Sequence, residues 1–148
     1  MAEGGGILAV AYYLGCSGHL GSRLIHLFDT WHGIPESMAA QDRGFVKGQG
    51  KKTQEQFRAN VKRWGRHYRR NNDTVYSWEE VKAKLKVHVG LFKDTMAEAL
   101  HEKKVAALYC DGDMYQSTLD CLKGAERRLQ VSSWIFQDDY YNFLGTFE

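Results

Sequence analysis

A chain of 148 residues is long enough for one domain with one hydrophobic core and too short to argue for two. Its 43% hydrophobic and 13% aromatic content fits an ordinary globular protein, and a single proline excludes a proline-rich linker. A net charge of +2 is near neutral, so the charge balance names no partner. Cys16, Cys110 and Cys121 are odd in number and widely spaced, which gives neither a disulfide framework nor a zinc spacing. A reduced, cytoplasmic compartment is the simplest reading of them, with Cys110 and Cys121 as small buried hydrophobes.

The chain opens on Gly4-Gly5-Gly6 and the apolar run Ile7–Leu14. That run resembles a signal-peptide core, but Glu3 stands where a basic leader would be, and the run is too short to cross a bilayer. A buried helix after a glycine turn is expected there, and no membrane partner. Arg23–Asp29 is a short apolar run ending in an acid, which suits a buried parallel strand. Thr30–Glu36 turns the chain, and residues 36–52 read as an irregular loop rich in Gly, Lys and Gln.

Thr53 with Gln56 then forms a capping-box pattern, and Phe57, Val61, Trp64 and Tyr68 make an apolar stripe at helical spacing. The other faces of this helix are basic, so residues 36–72 read as a basic helical insertion. Basic faces are usually just solvated, and no aromatic-interleaved reader accompanies this one, so no nucleic-acid partner is expected. Ser77 with Glu80 opens a second, short helix. Val87–Val89 is a strand, and Gly90–Thr95 leads into another helix. A strand at 105–110, a helix around Thr118–Arg128 and a last strand at 133–137 complete the pattern. Strands alternating with helices imply parallel crossover units and a doubly wound α/β sheet.

Two of these strands run straight into pairs of carboxylates: Asp111-Gly112-Asp113 after the first, Asp138-Asp139 after the second. Ligands of open α/β sheets bind beyond the carboxyl ends of the strands. Four acids aimed at one small volume repel unless a cation or a shared proton relieves them. The pattern therefore predicts a divalent-metal site, an acid/base site, or both. The plainer readings are a turn after a strand for Asp-Gly-Asp and a helix cap for Asp29-Thr30. Of six scattered histidines, only His32 falls just beyond a strand end.

Four fragments in register resemble the TylF-type macrocin O-methyltransferase family: Phe28–Pro35, Gly90–Thr95, Asp111–Thr118 and Asp138–Tyr140. The resemblance implies a Rossmann-like class I methyltransferase sheet with flanking helices, and methyl transfer from S-adenosylmethionine to a hydroxyl of a sugar or sugar-bearing natural product. It implies Mg2+ or another divalent cation held by Asp111, Asp138 and Asp139, with Asp113 as the general base. The cofactor-binding set it implies is Gly4, Gly5, Asp29, Thr30 and Asp111, with Asp29 on the ribose. The acceptor would be a small hydroxyl-bearing molecule.

Three departures from the family pattern carry expectations of their own. No strand precedes the glycine turn, Gln130–Ser133 replaces a proline-glycine-glycine turn, and the family continues past Glu148 through a helix and two strands. A single, partial methyltransferase domain over residues 1–148 is therefore expected, lacking the first and the C-terminal strands. Such a chain would be marginal or homo-oligomeric, or would close the gap by pairing the Asp29 and Asp111 strands directly. The runner-up reading is an inactive remnant whose carboxylate metal site serves binding or assembly. A third is another metal-assisted enzyme, such as a phosphoryl-transfer protein.

Overall fold

The computed structural model describes residues 5–37, 39–70 and 78–138. In chain order the elements are α1 (Gly5–Cys16), β1 (Ile25–Asp29), α2 (Gln54–Arg70), α3 (Trp78–Ala83), β2 (Leu85–Val89), α4 (Phe92–Ala99), β3 (Val105–Cys110), α5 (Tyr115–Ala125) and β4 (Leu129–Gln137). Single 3-10 turns lie at Leu20–Ser22, Ala40–Asp42 and Glu126–Arg128. The chain forms two compact units, residues 1–27 with 52–88 and residues 28–51 with 89–148.

In the first unit α2 begins as its sequence dictates. The Gln56 amide donates to Thr53 Oγ1 at 3.1 Å while Gln56 Oε1 accepts the Thr53 amide at 2.9 Å, so two orphan donors of the first turn are satisfied reciprocally. Phe57 and Val61, one turn apart, are buried as the apolar stripe requires. The side chains of Trp64 and Tyr68, and Ser77 of the second capping box, lie outside the described residues. Helix α1 is present but buried on one side only: Ala11 is enclosed, while Val10 and Tyr13 are exposed. A helix apolar all round hides only the face its neighbours reach, and α1 packs on α2 and the turn that follows it. Between β1 and β2, His26 Nδ1 and His88 Nε2 meet at 2.9 Å, so one ring donates and the other accepts.

The second unit holds the core that positions the acids. Met96 and Leu100 of the α4 region, Leu108 and Cys110 of β3, and Cys121 and Ala125 of α5 form one buried cluster, with Phe28, Phe92 and Leu129 at its margin. Gly124 lets α5 approach α4, since a Cβ there would lie 2.7 Å from Met96 Cβ. Strands β3 and β4 are parallel, with Leu108 beside Ile135, Tyr109 beside Phe136 and Cys110 beside Gln137. Alternation along the strand sends Leu108 and Cys110 into the core and leaves Tyr109 exposed, with Trp134 and Phe136 stacked and exposed on β4. Strand β4 starts four residues before the expected Ser133. Val105 pairs with Leu129 and Ala107 with Trp134, so β4 bulges outward between the two pairings. Ser133 Oγ closes the bulge by bonding the Val105 carbonyl and accepting the Gln130 amide at 2.7 Å.

The architecture is thus mixed α/β with parallel strands. The described strands form two pairs, β1–β2 and β3–β4, and a direct pairing of the Asp29 and Asp111 strands is not among them. Among the described residues, those ahead of β1 form a helix and a 3-10 turn. The close α4–α5 packing makes a specific prediction. Gly124→Val should lower unfolding free energy in urea by about 2 kcal/mol through overpacking against Met96. The Gly124→Val/Met96→Ala double variant should lose less than the two singles combined, and strictly additive losses would contradict the contact.

Candidate active site at the strand ends

Asp29 is the last residue of β1, and the turn beyond it is held by its own side chains. Asp29 Oδ1 accepts the Trp31 amide at 2.8 Å, Thr30 Oγ1 accepts the His32 amide at 3.2 Å, and the Thr30 hydroxyl donates to the Gly33 carbonyl at 3.1 Å. Trp31 is buried with a left-handed φ of 61°, a conformation that a bulky residue keeps only when its surroundings enforce it. Gly33 is required: its φ is +79°, and a Cβ there would lie 2.5 Å from the Gln49 carbonyl oxygen. The Ile34 amide donates to Gln49 O at 2.9 Å and the Gly48 amide to Ile34 O at 2.8 Å, which folds the 30–50 loop back on itself. On the neighbouring strand, the Gly90 amide donates to the Asp29 carbonyl at 3.1 Å.

Asp111 follows β3 directly. The pairing of Cys110 with Gln137 carries on for one more step, because the Asp138 amide donates to the Cys110 carbonyl at 2.9 Å. Asp111 and Asp138 thereby leave adjacent parallel strands at matching positions, where strand spacing is about 4.8 Å. Asp138 is exposed and Asp111 half-buried. Asp113 has a left-handed φ of 55°, inside a tight turn in which the Met114 amide donates to the Gly112 carbonyl at 2.6 Å. Gly112 makes room for the first turn of α5, since a Cβ there would meet Ser117 Cβ at 2.8 Å. Asp139, and Gly4 at the other end, lie outside the described residues, while Gly5 is the first residue of α1. Among the described residues no three of His, Cys, Asp and Glu converge as a metal cage. Asp111 and Asp138, which leave adjacent strands, carry hard carboxylate oxygens of the kind magnesium prefers.

Two features of this region escape sequence reading. Asp42, in a segment read as an irregular loop, is 6% exposed, and its carboxylate accepts the Tyr115 amide at 2.7 Å, the Gln116 amide at 3.3 Å and the Ser37 hydroxyl at 2.5 Å. Nothing in the sequence pairs it with residues more than seventy positions away. The second is a disulfide between Cys110 and Cys121, residues expected to be unbridged. Spacing alone could not find it, because the two sulfurs meet only once α5 has folded back over β3. His32, placed near the site by sequence, is exposed beyond β1.

Parallel strands with carboxylates at their C-terminal ends make an α/β protein, and the candidate site lies where open-sheet folds bind their ligands. The chain belongs to the macrocin-O-methyltransferase (TylF) family, whose model matches residues 2–147. Its structure is similar to that of the O-methyltransferase NovP, with 26% sequence identity and a TM-score of 0.61 over 87% of this chain and 52% of that one. The chain thus spans about half the length of that solved relative. No curated protein matches it. No described helix is long and apolar enough to cross a membrane.

The cysteine pairing is directly measurable. Thiol titration of the air-equilibrated, unfolded chain should count one free thiol, that of Cys16. Reduction should cost about 3 kcal/mol of stability, the loop-closure value for a bridge of this span. Three free thiols before reduction would contradict the bridge.

Proposed function

We propose that the chain carries the acid half of a metal-dependent O-methyltransferase site on a Rossmann-like frame. The enzyme would transfer a methyl group from S-adenosylmethionine to a hydroxyl of a sugar or sugar-bearing natural product. Family membership supports the reaction class. One observation carries the site: the ladder bond from the Asp138 amide to the Cys110 carbonyl, which sets Asp138 beside Asp111. In this reading Asp111, Asp138 and Asp139 would hold the divalent cation, which would supply Lewis acidity that eases deprotonation of a hydroxyl. The sulfonium cofactor supplies a methyl group that is already activated.

The remaining tasks fall to the chain itself. Asp113 takes the proton of the acceptor hydroxyl, as a positioned carboxylate can. Its left-handed backbone fits that role, because strain of this kind gathers where a side chain must be aimed. Asp29 receives the cofactor ribose: one of its oxygens is engaged by the Trp31 amide, which orients the carboxylate. Thr30 holds the same turn closed. The acceptor would be a small hydroxyl-bearing molecule, whose oxygen is of the hard kind a bound magnesium ion would favour. A cytoplasmic setting belongs to the proposal, and there the Cys110–Cys121 pair would be held reduced.

Two substitutions separate the roles. Asp113→Asn should lower kcat by about 100-fold or more while sparing Mg2+ affinity, the signature of a lost general base. Asp111→Asn should weaken Mg2+ binding and turnover together. If Asp113→Asn instead weakens Mg2+ binding while kcat at saturating metal stays intact, base and ligand have been assigned the wrong way round.

A further inference from the structure

Helix α5 lacks a cap of its own. Met114 stands at its N-cap position and supplies no side-chain hydrogen bond, which leaves the first amides of the helix to find partners elsewhere. The partner is Asp42, whose carboxylate receives the amides of Tyr115 and Gln116 and the hydroxyl of Ser37. A buried carboxylate is costly unless donors compensate it, and these three donors together with the positive end of a helix do so. The geometry is that of an N-cap supplied from another part of the second unit.

The segment just ahead of that helix is the Asp111–Asp113 turn. Asp113 is held left-handed at a φ of 55°, Met114 closes on Gly112, and Gly112 lies against Ser117 of the first helical turn. An aspartate relaxes out of such a conformation unless its neighbours fix it. We propose that Asp42 is a positioning residue: by anchoring the start of α5 it holds the Asp111–Asp113 turn in the conformation that aims both acids. The inference rests on the reading of Asp111 as a cation ligand and Asp113 as the base. It assigns Asp42 no contact with cofactor, cation or acceptor. The turn after Asp29 is held by its own bonds among Asp29, Thr30, Trp31 and Gly33, none of which uses Asp42. Loss of Asp42 therefore disturbs the acid side of the site more than the ribose side at Asp29.

The test compares wild type with Asp42→Ala and Asp42→Asn, the second keeping one acceptor for the Tyr115 amide and most of the shape. Hydrogen exchange at the Tyr115 and Gln116 amides should accelerate in Asp42→Ala and less in Asp42→Asn. Calorimetric Mg2+ affinity and kcat should each fall by about 10- to 100-fold in the alanine variant, the usual cost of losing an outer supporting group, with partial rescue by asparagine. S-adenosylmethionine affinity should fall less than Mg2+ affinity, because bonds local to Asp29 hold the ribose side independently of Asp42. Unchanged amide exchange in both variants overturns the proposal. So does faster exchange with wild-type Mg2+ affinity and kcat, an outcome that leaves the functional reading intact. Equal losses of metal and cofactor affinity also overturn it, since they report a general loss of fold, and Asp42→Asn decides the matter if the alanine variant does not fold. A wild-type chain that binds neither Mg2+ nor cofactor defeats the functional reading instead.

Discussion

The register between β3 and β4 is the constraint on which the candidate site depends. Leu108 and Cys110 must face α5 to be buried, and that requirement fixes which residues of β3 point inward. The pairing of Cys110 with Gln137 then leaves Asp111 and Asp138 no choice but to emerge side by side. A slip of one residue would bury Tyr109 in place of Leu108 and misalign the two acids. Core packing, an apolar matter, thereby sets the spacing of charged groups that would otherwise avoid each other.

A second constraint is backbone conformation at the two strand ends. The turn after β1 carries Trp31 and the turn after β3 carries Asp113, both left-handed and neither a glycine. Each is enforced by packing or by hydrogen bonds nearby: Trp31 by its burial and the Asp29 carboxylate, Asp113 by the Gly112–Met114 closure and the capped start of α5. Both turns face the side of the strands where α/β folds receive ligands. The glycines at 33 and 112 provide the close approaches that both turns require.

Much of this was legible in the sequence for identifiable reasons. The strands at Asp29 and Asp111 are short apolar runs ending in acids, and the Thr53–Gln56 capping box announces α2, because these signals act within a few residues. The runs also mark which residues stand at the strand ends. What escaped reading depends on contacts between distant segments. Asp42 caps a helix more than seventy residues away, the Cys110–Cys121 bridge needs α5 laid over β3, and the early start of β4 rests on Ser133 folding a bulge back to Val105. Strand–helix alternation predicts parallel units without saying which strands become neighbours, and the described strands pair as β1–β2 and β3–β4.

The central claim is that the strand-end acids form one site for a cation and a sulfonium cofactor. Isothermal titration of the chain with S-adenosylmethionine, in the presence and absence of Mg2+, tests it most directly. The account predicts cofactor binding in the micromolar range and a separate Mg2+ isotherm that Asp111→Asn weakens. Absence of both isotherms in the folded chain would contradict it.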